Sequence, residues 1–168
     1  SLAMHVLHVD FVGQPSHAAV APWEGKSALS GVIQTFNLVD ASRIHFRDGT
    51  RVHGIITNGG QAVNIIPEKA AARFSVRART AAYLDEVVMP QVMRCAEAAA
   101  LATGTEVTLR IERGYKNMVN NWTLAQRFGT YLEAQDVKFL TTDPHSGIGS
   151  TDMGDVSHIL PSIHPYLG

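Results

Sequence analysis

The sequence has 168 residues, enough for one substantial domain or for a domain of about 110 residues with an appendage. Apolar residues make up 45% and charged residues 17%, with 14 basic against 15 acidic side chains and a net charge of −1, so a core can be buried and nothing favours a nucleic-acid or membrane partner. No run approaches the roughly 20 consecutive apolar residues of a bilayer span, the start SLAMHVLHVD lacks a charged region followed by an apolar run, and a cytoplasmic location is expected.

Residues 5–12 place Leu7, Val9 and Phe11 on one face and His8 and Asp10 on the other, a strand pattern. After a loop from Gly13 to Gly25, Leu29, Val32, Ile33, Phe36 and Val39 recur at helical spacing to about Asp40. Residues 51–57 read as a second strand that runs into the turn signal Asn58-Gly59-Gly60. In the third, over 70–77, Ala70, Ala72, Phe74 and Val76 alternate with Ala71, Arg73, Ser75 and Arg77. Leu84, Val88, Val92, Cys95 and Ala99 predict a helix over 81–103 closed by Gly104, with a kink at Pro90. The fourth strand, 105–112, alternates Val107, Leu109 and Ile111 with Glu106, Thr108, Arg110 and Glu112.

The order β-α-β-β-α-β gives an α+β fold. Four antiparallel strands with one apolar face each, covered by two amphipathic helices, make a two-layer ferredoxin-like sandwich whose other face is free to meet water or a ligand. Beyond Glu112 the composition changes to a polar connector, then a helix over 121–135 with Leu124, Phe128, Tyr131 and Leu132 as its apolar stripe. The remainder is rich in glycine, proline, histidine and small polar residues, as active-site loops often are. A boundary falls near residue 115.

His17, in Pro15-Ser16-His17-Ala18-Ala19, stands between small residues at a strand-to-helix loop, so it is free to reach a substrate or a second subunit; alone it reads equally as a hydrogen-bonded surface group. Asn64, in the glycine-containing loop 58–67, offers both a donor and an acceptor, although the loop also reads as a plain hairpin connection. Arg77, thirteen residues later, has a planar fork that suits a carboxylate, against the alternative of a solvated charge on a sheet face. Gly147 to Asp155 gathers small residues and two carboxylates: Ser150 and Thr151 are placed to cap a helix and its amides to face an anion, but the lysine of a phosphate loop is missing.

Eight histidines invite a metal site, yet no set of ligands emerges. His8 and Asp10 share a strand face without a third ligand nearby, and His145, His158 and His164 lack the spacing by which a helix holds zinc. Cys95, the single cysteine, falls among alanines and reads as a small buried apolar residue.

Taken in order, PSHAA, PWEGKSAL, NGGQAVNIIPE, FSVRA and GSTDMGDVS resemble the zinc metallopeptidase family of aminoacylase-1, carboxypeptidase G and succinyl-diaminopimelate desuccinylase. The likeness spans nearly the whole chain and is nearest to the amidohydrolase branch of the aminobenzoyl-glutamate hydrolases and the peptidase domain-containing protein 2 type. It implies a catalytic domain with two zinc ions and an inserted ferredoxin-like lid through which many members form homodimers. Residues 5–114 would be the lid and residues 115–168 the return to the catalytic domain. By the same resemblance His17 would reach across the dimer to stabilise the oxyanion, Asn64 and Arg77 would hold the substrate carboxylate, and the segment at Gly149 would line the pocket.

The family's zinc ligands and its Glu-Glu pair, which supplies the general base, have no match here, and the sequence contains no adjacent Glu-Glu. The expectation is therefore a part of a zinc amidohydrolase acting on an amide beside a free carboxylate, with no zinc bound by this stretch and no turnover by it alone. The other reading is a free-standing ligand-binding or dimerisation module. A structural zinc protein is a third.

Overall fold

The computed structural model of the chain describes residues 1–140 and 149–165. Strand β1 (Ala3–Val12) follows its alternation closely: Leu7, Val9 and Phe11 are buried, while Val6, His8 and Asp10 occupy the other face. With β2 (Arg51–Asn58), β3 (Lys69–Ala78) and β4 (Glu106–Arg113) it forms an antiparallel sheet in the order β2-β3-β1-β4. Leu7 stands opposite Phe74 on one side and Ile111 on the other, which brings the apolar faces of three strands into one layer. This is the ferredoxin-like sandwich expected from the element order.

Helix α1 (Ala28–Ser42) starts where Ser27 caps it, its hydroxyl accepting from the Ser30 amide at 3.1 Å. Ala28, Gly31, Val32, Thr35 and Val39 form its buried stripe. Gly31 is required for the approach to the sheet, since a Cβ there would lie 2.6 Å from the Phe11 ring. In strand β2 Gly54 plays the same part for Phe74, whose ring meets that of Phe36 at 4.6 Å between centroids. Burying each such aromatic or aliphatic side chain contributes about 1.5–3 kcal/mol.

The long second helix is built in pieces. A short α2 (Ala81–Tyr83) leads into a π-helical turn over Leu84–Val88, closed by the Met89 amide donating to the Leu84 carbonyl, and only then into α3 (Met89–Thr103). Pro90 has no amide to give the Glu86 carbonyl and its ring crowds that oxygen, so the turn before it widens. The sequence therefore locates the irregularity, and its form is a wide turn. Gly104 ends α3 with φ of 65°, the left-handed cap that favours glycine.

Helices α1 and α3 pack against each other on one face of the sheet, α1 over β1 and β3 and α3 over β4. Beyond β4 the connector is tied back to the sheet by the Met4 amide, which donates to the Tyr115 carbonyl at 2.9 Å. Helix α4 (Trp122–Glu133) is capped by Asn121, and the five-residue α5 (Met153–Ser157) follows. The apolar stripe expected of α4 is left open: Leu124 and Tyr131 are exposed and only Gly129 is buried. Cys95 is buried, as its alanine-rich context suggests. No helix of the described residues is long and apolar enough to cross a membrane.

Candidate functional site

Strand β1 ends in a turn that pins the His17 loop to the segment before β3. Gln14 and Lys26 exchange two amide hydrogen bonds at 2.9 Å, and at Gly13 a Cβ would lie 1.9 Å from the Lys26 carbonyl oxygen, so no side chain fits. The loop then pairs with residues 64–66: the Ala18 amide donates to the Asn64 carbonyl at 3.0 Å and the Ile66 amide to the Ser16 carbonyl at 2.9 Å. This two-rung bridge is what sets His17 beside Asn64. At the tip of the same loop Gly60, at φ of 104°, packs closely on the Pro67 ring.

The His17 ring is exposed, and its Nδ1 accepts the Ala19 amide at 3.2 Å. In the neutral ring that leaves the proton on Nε2, aimed away from the loop as a hydrogen-bond donor. The Asn64 side chain is also exposed, and among the described residues its amide has no hydrogen-bond partner. The main chain of both residues is committed while both side chains are available.

Arg77 lies elsewhere. It sits on the open face near the far end of β3, opposite Met4 on one side and Arg51 on the other. The eight residue steps from Lys69 to Arg77 make about 26 Å of strand. Within one protomer, therefore, Arg77 is remote from His17 and Asn64. Its Nε reaches Ser75 Oγ at 3.5 Å, and among the described residues no carboxylate pairs with it.

Gly149 belongs to the Arg77 end, because its carbonyl accepts the Leu2 amide at 3.0 Å, one residue before β1 begins. Nothing lies within 4 Å of where its Cβ would be. Just before α5 the Thr151 hydroxyl accepts from the Met153 amide at 3.3 Å, while Asp155 accepts from the Lys116 amide and thus secures the connector. Gly147, Ile148 and His145 lie outside the described residues.

His8, half of the candidate His-x-Asp pair, is engaged by Glu112 at 2.8 Å. That hydrogen bond, against the desolvation that raises it, holds the Glu112 carboxyl below the usual glutamate range, helped by the charges of His8, Arg110 and Arg73. Among the described residues no group of three or more histidine, cysteine, aspartate or glutamate side chains is placed to hold a metal ion. Sequence reasoning passed over Arg51 and His5. His5 is buried on the core face, its Nδ1 accepting the Gly114 amide at 3.0 Å and its Nε2 donating to Asp85 at 2.9 Å, which clips the end of β4 to the π-helical turn. Its odd number in β1, in phase with Leu7 and Val9, is the signal that places it inward.

A family described as peptidase dimerisation domain matches residues 4–102, which take in β1, β2, β3 and the two long helices and stop short of β4. The Xaa-Arg dipeptidase of Mus musculus is 36% identical over 169 residues, which is 99% of this chain and 39% of that protein. A p-aminobenzoyl-glutamate hydrolase component of Escherichia coli (strain K12) is 32% identical over 115 residues, 68% of this chain and 24% of the relative. Among solved structures, an amidase of the hydantoinase/carbamoylase family from Burkholderia vietnamiensis superposes with a TM-score of 0.77 at 16% identity, over 96% of this chain and 38% of that one. Aminopeptidase PepT from Bacillus cereus ATCC 10987 gives 0.74 at 17%, over 94% and 41%. The chain thus spans about two fifths or less of the proteins it matches.

Proposed function

The chain belongs to the peptidase dimerisation domain family of the M20 peptidases, and from that premise we propose that it is the lid and dimer contact of a zinc-dependent amidohydrolase. Residues 5–114 serve as the lid and residues 115–168 as the return into the catalytic domain. The parent enzyme cleaves an amide beside a free carboxylate, as in an N-acyl amino acid, a dipeptide or an aminobenzoyl-glutamate-like conjugate. The relatives' names, a dipeptidase and an aminobenzoyl-glutamate hydrolase, fit that substrate class.

The observation that carries this reading is the division of the site. His17 and Asn64 stand at one end of the sheet, Arg77 and Gly149 at the other, and a homodimer offers a way to unite them. Strand β2 is an edge strand with Ile55 and Ile56 exposed, and Ile33 and Leu38 of α1 are exposed as well, whereas the opposite edge, β4, carries Glu106, Arg110 and Glu112. An unpaired apolar edge seeks a strand, and charges discourage one. Two β2 strands paired antiparallel about a two-fold axis place the Arg51 end of one against the Asn58 end of the other. The partner's His17 and Asn64 then approach the Arg77 of the first protomer.

In that composite site Arg77 grips the carboxylate through its fork and Asn64 adds a donor. The Nε2–H of His17 meets the oxyanion that develops as the amide is attacked. Zinc, when bound to the parent, supplies the activated water. By the family resemblance its ligands and the general base come from the catalytic domain of the parent.

The test is hydrolysis by the parent enzyme, supplied with zinc, across N-acyl amino acids and dipeptides. His17→Ala is expected to lower kcat about 10²–10³-fold with little change in KM, and Arg77→Ala to act mainly on KM. Turnover by the pure 168-residue chain, or equal activity of His17→Ala, would contradict the reading.

A further inference from the structure

Beside Arg77 the sheet carries a second guanidinium. Arg51 is its direct partner across β2 and β3, and Val52 and Val76, the next pair, are buried, so both arginines project from the open face. Side chains so opposed have Cβ atoms about 4.5–5.5 Å apart, and like charges in this position are unfavourable unless an anion lies between them. Among the described residues neither arginine is paired with a carboxylate.

Arg51 also lines a cavity of about 230 Å³ with Arg43, Arg47, Asp48, Gly49 and Thr50. The other two cations there are occupied. Arg43 pairs with Asp40 at 2.8 Å, and Arg47 lies over the Tyr83 ring at 4.7 Å. Arg79 braces the loop by donating to the Asp48 carbonyl at 3.1 Å. Asp48 is the one acidic lining residue, against three arginines. Among the described residues Arg51 donates only to the Thr50 carbonyl, at 2.9 Å, which leaves most of its donors available there.

Resting on the assignment of Arg77 to the substrate carboxylate, we propose that Arg51 is a specificity-determining residue. Arg77 and Arg51 of one protomer hold the two carboxylates of a single leaving amino acid. The preferred substrates are then amides of acidic, dicarboxylic amino acids, whose carboxyl groups are separated by two or three carbon atoms. A neutral side chain leaves Arg51 without a partner, and a basic one is repelled.

Both arginines belong to one protomer, so the chain itself is suited to the test. NMR titration at neutral pH and low salt compares butyrate, with one carboxylate, and glutarate, with two, in the wild type, Arg51→Gln, Arg77→Gln and Arg110→Gln. Glutarate is expected to bind about tenfold tighter than butyrate. Arg51→Gln should weaken glutarate much more than butyrate and so bring the two to parity, Arg77→Gln should weaken both, and Arg110→Gln, a charge elsewhere on the same face, should alter neither. A glutarate-to-butyrate ratio that survives Arg51→Gln, or falls equally in Arg110→Gln, overturns the inference alone. Butyrate binding unchanged in Arg77→Gln overturns the carboxylate reading on which it rests.

Discussion

The proton position on His17 follows from one backbone contact: the Ala19 amide occupies Nδ1 and so makes Nε2 the donor. A second histidine on the sheet is used differently. His8 holds Glu112 at 2.8 Å, and the Glu112 carboxyl is thereby kept below its usual range. A carboxyl whose pKa is lower in the folded state adds stability above its unfolded value and loses it as the pH falls through the folded one. An NMR titration should therefore find the Glu112 midpoint depressed and His8→Ala should raise it; an unmoved midpoint would contradict the assignment. At this scale the sequence is legible where chemistry is local. His17, Asn64 and Arg77 are visible as residue types in suitable loops and strands. The pairing of His8 with Glu112, or of His5 with Asp85, joins residues far apart in the chain and depends on register.

At the level of elements, packing overrides propensity at Gly31. Alanine would favour the α1 backbone by up to about 1 kcal/mol, yet its Cβ would lie 2.6 Å from a Phe11 ring that is 1% exposed and has nowhere to move. Gly31→Ala is accordingly expected to destabilise the chain by about 1–3 kcal/mol in chemical denaturation, and a gain in stability would show that the helix can shift off the sheet. The alternations of β1 and β3 are readable because each strand has one buried face, and that of β4 because half-buried Val107 and Leu109 alternate with exposed residues. Strand β2 is less so: Gly54 interrupts its core face, and the register shifts between Ile56 and Asn58. That irregularity hides the opposition of Arg51 and Arg77. The π-helical turn is foreshadowed by Pro90 only as a disturbance, since a proline specifies the lost hydrogen bond and not how the backbone absorbs it.

For the whole molecule, one sheet about 26 Å long separates the two halves of the proposed site, and the proposed antiparallel pairing of β2 edges would close the gap. The stripe of α4 with Trp122, Leu124 and Tyr131 is exposed, as the proposed return of residues 115–168 into a catalytic domain would require of a surface awaiting a partner. The most direct measurement is complementation between inactive parent enzymes. His17→Ala and Arg77→Ala protomers, each feeble alone under limiting substrate, are mixed in equal amounts and allowed to exchange. If His17 acts across the dimer, random assortment makes half the dimers hybrid, each with one intact site, and about a quarter of wild-type activity returns. If both residues serve the same protomer's site, every site in the hybrid stays defective and mixing restores nothing.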